Sequence, residues 1–182
     1  RSSDLTTSAQ LHNNVDLITV TGSDANPRSK VKTLFLNETV KIDHRFGRQK
    51  VGAKAGCSWR NATSAREDFA TINAANFNYG LTGQFELPCG FQLFTDLTMY
   101  SRRGYEAHEM NTDELVWNAR LSKQVWKKRL TLALEGFDIL HNLSAVTHTL
   151  NGQGRTETYR NVIPSYGMLH VIYRLNVQPK KK

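Results

Sequence analysis

Apolar residues return at every second position, segment after segment, and that period belongs to strands with two chemically different faces. Near the end of the chain Gly167, Leu169, Val171, Tyr173 and Leu175 alternate with Met168, His170, Ile172 and Arg174. Leu130, Leu132, Leu134 and Gly136 oppose Thr131, Ala133 and Glu135, and Leu115, Trp117, Ala119 and Leu121 oppose Asn118, Arg120, Ser122 and Gln124. Phe91, Leu93, Leu97 and Met99 share a phase that Phe94 breaks. Phe77, Tyr79, Leu81, Phe85 and Leu87 oppose Asn78, Thr82, Gln84 and Glu86 on a strand expected to start near Phe69. Val51, Ala53, Ala55, Cys57 and Trp59 oppose Gly52, Lys54, Gly56, Ser58 and Arg60. Leu34, Leu36, Val40 and Ile42 are in phase, with Phe35 out of it, and residues 5–20 carry a weaker pattern. The reading is an all-β chain of seven to eight antiparallel strands.

The connections alternate in length. Short ones fall at FGRQ (46–49), PCG (88–90) and WKKR (126–129), and long ones at 21–30, 61–67, 102–113 and 141–162. Short periplasmic turns and longer extracellular loops alternate in this way in outer-membrane barrels, whereas a β-sandwich has no reason to keep the order. The order sends the final strand down to the periplasm, with Lys180, Lys181 and Lys182 behind it. Trp59, Tyr100 and Trp117 then fall near the upper ends of their strands, and Phe85, Phe91, Trp126 and Tyr173 near the lower, as two interfacial belts would.

Composition excludes less than it suggests. Apolar residues make up 39% of the chain, and no run reaches the roughly 18 consecutive apolar residues of a spanning helix. A spanning strand needs only alternate apolar residues, so a mean hydropathy of -0.50 leaves the membrane open. The formal charge of +8 invites a nucleic-acid partner, but the basic residues are dispersed and none is expected. Arg1 stands where a leader would begin, so any targeting signal is expected upstream and the chain is expected to be a fragment or processed product. Cys57 and Cys89 form no metal or redox motif and read as unpaired thiols packed among apolar neighbours.

No catalytic constellation is legible, so the chain is expected not to be an enzyme and to need no cofactor or metal. His141 and His148 flank HNLSAVTH without metal-site spacing. NGQGR (151–155) reads as a tight loop, and the triplets at Asn37, Asn61 and Asn142 occur readily by chance. Glu86, Asp96, Arg120, Glu135 and Arg174 fall on the polar phase. There they would line a lumen, whereas a mid-membrane Arg on the lipid side would cost about 2 to 4 kcal/mol. Leu130, Leu132, Leu134, Leu169 and Val171 are the expected lipid-facing residues, and Trp59, Tyr100, Trp117 and Trp126 the expected interfacial aromatics. The competing fold is a soluble β-sandwich binding module, whose core would hold the same apolar faces. A small outer-membrane barrel enzyme would need partners for His108, His141 and His148 at its rim, and none is legible.

NVIPSYGMLHVIYRLN (161–176) resembles the closing strand of outer-membrane barrels, with Tyr173 and Leu175 in the element that the barrel-assembly machinery reads. Leu replaces the usual terminal Phe, and seven residues follow it. LTGQFELPCGFQLFTDLTMYSRRGY, MNTDELVWNARLSK, LTLALEGFDIL and GRTETYRNVIPSYGMLHVIYRLN are together similar to the C-terminal region of outer-membrane β-barrel proteins related to TonB-dependent receptors, over about residues 30–179. The resemblance implies a transmembrane antiparallel β-barrel, 22-stranded in full, of which these are the last seven to eight strands. It implies a bacterial outer-membrane location and solute transport. Implied partners are membrane lipid, the barrel-assembly machinery, TonB and a surface lipoprotein. The chain divides into a weakly patterned strand and extracellular loop (1–30), barrel strands (31–176) and a basic periplasmic tail (177–182).

Overall fold

A computed structural model of the chain describes residues 2–19, 28–64, 71–127, 129–144, 146–151, 154–159, 163 and 165–175. Eight strands form one antiparallel sheet: β1 (Ser2–Thr19), β2 (Arg28–Phe46), β3 (Gln49–Ser64), β4 (Ile72–Leu87), β5 (Phe91–Arg103), β6 (Asp113–Val125), β7 (Leu130–Phe137) and β10 (Tyr166–Tyr173). A separate hairpin, β8 (Val146–Asn151) with β9 (Gly154–Tyr159), is inserted between β7 and β10. Each main strand pairs with its chain neighbour, β10 joins β7, and β1 and β10 are the two edges of an open sheet.

The three short turns lie where the pattern puts them. Gly47 (φ 61°) supplies the positive φ of the two-residue β2–β3 hairpin. Cys89 (φ 62°) and Gly90 (φ 76°) turn the chain after Pro88, and Trp126 and Lys127 (φ 53° and 55°) turn it between β6 and β7. Cys89 is exposed there, so only Cys57, half-buried, fits the expected packing of the thiols; neither is bonded to another cysteine. The long connections are shifted. β3 runs through residues 61–64, still paired with β2, although these positions read as loop. β7 stops at Phe137 because Asp138 takes φ 44°, and β10 stops at Tyr173. β4 begins at Ile72; the expected start at Phe69 lies outside the described residues.

Register unites the separate alternations. Leu5, Ile42, Ala53, Leu81, Leu97 and Trp117 form one cross-strand row. Two rows nearer the turns, Phe85, Leu93, Leu121, Leu134 and Leu169 form another. Between them runs a row of the opposite parity, Asp43, Gly52, Thr82, Asp96 and Asn118. One sheet face is therefore apolar and the other polar, because cross-strand partners share a face.

The same register is staggered. The last pair before the first short turn is Phe46 with Gln49. β4 and β5 run two residues further before their turn, to Leu87 with Phe91, and β6 and β7 two further again, to Val125 with Leu130. Where β4 outruns β3, the Gln49 side chain takes over the lost ladder bonds: its Nε2 donates to the Glu86 carbonyl (3.0 Å) and its Oε1 accepts the Glu86 N–H (2.9 Å). Two residues per hairpin is about one residue, roughly 3.3 Å, for each strand spacing of about 4.8 Å. Turns held at one level then require strands tilted by about 35°, within the roughly 35–45° of barrel walls.

Burial decides between barrel and sandwich. The buried apolar strand residues are Val31, Ala62, Ile72, Ala74, Val116 and Ala133, and every one lies on the polar face. The apolar face is bare, with Leu81 62%, Leu134 59% and Leu169 69% exposed. A sandwich would bury that face against a second sheet. Here the eight paired strands form a single layer, and the only other described sheet is the β8–β9 hairpin.

Candidate functional site on the polar face

The polar face carries paired charge at the turn end. Asp43 lies 3.3 Å from Lys41 and 3.2 Å from Lys50, and Arg48 3.1 Å from Glu86. Further along, Lys54 Nζ donates to Asp96 Oδ2 (2.8 Å), whose other oxygen accepts from the buried Thr98 hydroxyl (2.8 Å). Arg120 is the register partner of Glu135, and His170 Nε2 lies 3.1 Å from Glu135 Oε2. That contact lacks hydrogen-bond alignment. Phe35, out of phase in the pattern, is accommodated on this face beneath the Arg60 guanidinium (5.9 Å).

At the loop end two connections fold over this face. In the β5–β6 loop Tyr105 packs on Val31, Ala62, Ile72 and Ala74, and its hydroxyl donates to Asn76 Oδ1 (3.0 Å). Asn111 ties the loop to itself: its Oδ1 accepts the Tyr105 N–H and its Nδ2 donates to the Tyr105 carbonyl (2.7 Å). Met110 of the same loop is buried. At the base of the loop Arg103 makes a two-pronged contact to Asp113 (2.8 and 2.7 Å), which also accepts from Ser101 (2.6 Å). The Arg103 guanidinium, then the Ser101 hydroxyl, hold the Asp113 carboxyl below the ordinary carboxylate range.

The second loop turns on Asp138, which has no solvent exposure. Its N–H donates to Asn118 Oδ1 (2.9 Å), and its carboxylate accepts the N–H groups of Asn142 (3.2 Å) and Leu143 (2.9 Å). Leu143 and Ser144 are thereby held over a cavity of about 330 Å³, lined chiefly by Ser58, Asn76, Asn78, Tyr100, Arg102, Thr112 and Glu114.

Parity places each expected strand residue on one face or the other. Leu130, Leu132, Leu134, Leu169 and Val171 lie on the apolar face. Glu86, Asp96, Arg120 and Glu135 lie on the polar one, and Arg174, just past β10, keeps polar-face parity while its N–H donates to the Arg129 carbonyl (2.8 Å). Trp59 and Trp117 are on the apolar face, their indoles donating to Asn73 Oδ1 (2.7 Å) and Thr95 Oγ1 (2.9 Å). Trp126 packs against Tyr173 with ring centroids 6.2 Å apart. Leu175 projects beyond the strand, 84% exposed. Tyr100 departs from the expected belt: it is the register partner of Asn78 and Glu114, on the polar face, opposite Trp59 and Trp117. Asp138, Asn111 and Tyr105 carry no alternation and were not foreseen as site-formers; an Asp directly after an apolar strand is the one local signal of a side-chain-capped turn. Among the described residues no cluster of His, Cys, Asp and Glu could hold a metal.

A staggered single-layer sheet with one bare apolar face and one polar, loop-covered face is a wall of an outer-membrane β-barrel. The outer membrane protein β-barrel family matches residues 30–173, and the chain belongs to that family, placing it in the bacterial outer membrane. No curated protein and no solved structure matches the chain.

Proposed function

We propose that this wall belongs to a larger, TonB-dependent-receptor-like barrel of about 22 strands that carries a solute across the outer membrane, its apolar face against lipid. The carrying observation is the mismatch of the sheet edges. β1 has 18 residues and β10 has 8, so pairing them would leave most of β1 unsatisfied. Further strands resolve that mismatch. β1 to β4, at 16 to 19 residues, also exceed the roughly 9–11 that a bilayer requires, which suits a barrel standing above the membrane. The inward-folded loops and charge pairs suit a water-filled, partly obstructed lumen. In this reading the chain performs no chemistry of its own; Tyr173 and Leu175 present the closing strand to the barrel-assembly machinery, and TonB and a surface lipoprotein act through other parts of the assembly.

The test is saturable association of the full-length protein, in detergent, with the purified periplasmic domain of TonB from the same bacterium. Binding is expected. Its absence refutes the TonB-dependent reading while leaving the outer-membrane wall intact.

A further inference from the structure

We propose that the loop-end cavity is a binding subsite for a neutral, polyhydroxylated ligand of the saccharide class. Asn78, Tyr100 and Glu114 are consecutive cross-strand partners in a single polar-face row, and all three line the cavity. Gly56, their neighbour on β3, carries no side chain, so the Asn78 amide leans over it into the space that a Cβ would fill. Among the described residues none of these three side chains makes a hydrogen bond or ion pair, whereas Ser58, Asn76 and Ser101 nearby are engaged with Asn37, Tyr105 and Asp113. Their hydrogen-bonding capacity is therefore open and converges on one space.

The chemistry of the row selects the ligand. An amide and a phenol each donate and accept, and the carboxylate accepts, which matches the mixed demand of vicinal hydroxyls. Arg102 lines the same cavity and brings a positive charge to the wall that carries Glu114. An anion would meet the carboxylate and a cation the guanidinium, so a neutral ligand suffers neither repulsion. The Tyr100 ring, 43% exposed, adds a flat surface for the C–H face of a sugar ring. About 330 Å³ is near the small end of ligand sites, enough for one or two sugar units. Leu143, in the lining, is fixed in advance by its N–H bond to the Asp138 carboxylate, so little ordering cost remains on that side.

The proposal rests on the polar face bordering the aqueous lumen, and it is independent of how transport is driven. Full-length protein in detergent is applied to a printed panel of neutral, carboxylated, sulfated and amino oligosaccharides, and affinities for the neutral members are measured in solution. Neutral members are expected to bind best. Tyr100→Phe, Asn78→Ala and Glu114→Gln should each weaken them about 5-fold, the value of one hydrogen bond, with heat-modifiable gel migration unchanged; Gln84→Ala, on the same face but nearer the turns, should not weaken them. A panel on which no neutral member binds, or charged members bind better, overturns the proposal, as do three site variants that all bind like the parent. TonB association is measured separately, so loss of the subsite with TonB binding intact, or the reverse, shows which reading failed.

Discussion

Placing an arginine at three heights on one strand measures whether the apolar face lies against lipid. On β4 the apolar run from Phe77 to Leu87 spans ten residues, about 33 Å along the strand, and about 27 Å of height once tilted by about 35°. That is close to the roughly 25 Å apolar band of outer-membrane barrels. Leu81 lies about 11 Å of height below Phe77, near the middle, and is 62% exposed with no covering layer among the described residues. Leu81→Arg in the full-length protein should therefore cost about 2 to 4 kcal/mol, shifting the folded-to-unfolded ratio about 30- to 1,000-fold. Leu87→Arg and Phe77→Arg, at the borders, should lose their membrane penalty almost entirely, to within about 1 kcal/mol. Gln84→Arg, exposed on the polar face three residues away, should change stability by no more than about 0.5 kcal/mol. Guanidinium titration in lipid vesicles, followed by the heat-modifiable gel shift, reads all four. A soluble sandwich buries the whole apolar face, so there Phe77 and Leu87 would cost as much as Leu81; a flat profile would refute the membrane assignment of this face.

Five further outcomes follow from individual positions. A Cβ at Gly80 would collide with the Leu97 carbonyl and the Thr98 backbone, so Gly80→Ala should cost about 1 to 3 kcal/mol in the same titration. Gly56→Ala meets only the movable Asn78 amide, so it should cost less yet weaken saccharide binding. Asp138→Ala leaves the N–H groups of Asn142 and Leu143 without their acceptor and should raise amide hydrogen exchange across 139–144 about 10-fold or more, with β6 unaffected. The Asp113 carboxyl is lowered by Arg103, so its folded value lies below its unfolded one. The stability from that pairing is full above the unfolded value, near 3.8, and disappears as pH falls through the lowered folded value. The difference between parent and Asp113→Asn should thus be constant from pH 5 to 8 and vanish only in acid. Glu38 is an exposed carboxylate on the apolar face between Leu36 and Val40, so Glu38→Leu should stabilise the protein by up to about 2 kcal/mol in vesicles, less than removing an arginine would. No gain would show that Glu38 does not reach lipid.

Faces were legible in the sequence because parity survives errors in strand ends. β3 runs four residues further at its loop end than it read, and β7 ends three residues earlier, yet Trp59 and Leu134 keep their sides. The misplaced residue, Tyr100, was legible too: Leu97 and Met99 set the apolar phase of β5, so position 100 falls on the polar face by counting. Its height along the strand suggested a belt, and height does not determine side. The loops were not legible. Their paths are set by single side chains bonding backbone groups, Asn111 to Tyr105 and Asp138 to Asn142 and Leu143, and such bonds have no period to detect. The β8–β9 hairpin falls within the long connection that read as loop.

Stagger ties the wall to the site. Because each hairpin ends one row lower than the one before, a row perpendicular to the strands does not run level around the barrel; it rises or falls by about the tilt. On β6 the Glu114 position lies just beyond Leu115, the last apolar residue before Asp113, and so at the loop-side border of the band. On β4 the Asn78 position of the same row lies between Phe77 and Tyr79, inside the band. The Asn78–Tyr100–Glu114 row therefore descends from the mouth into the interior. A solute entering from the loop end would meet Glu114 and Arg102 first and Asn78 last. Side chains so ordered lie along a path as well as around a point, and a register one residue different would have turned all three to the apolar face.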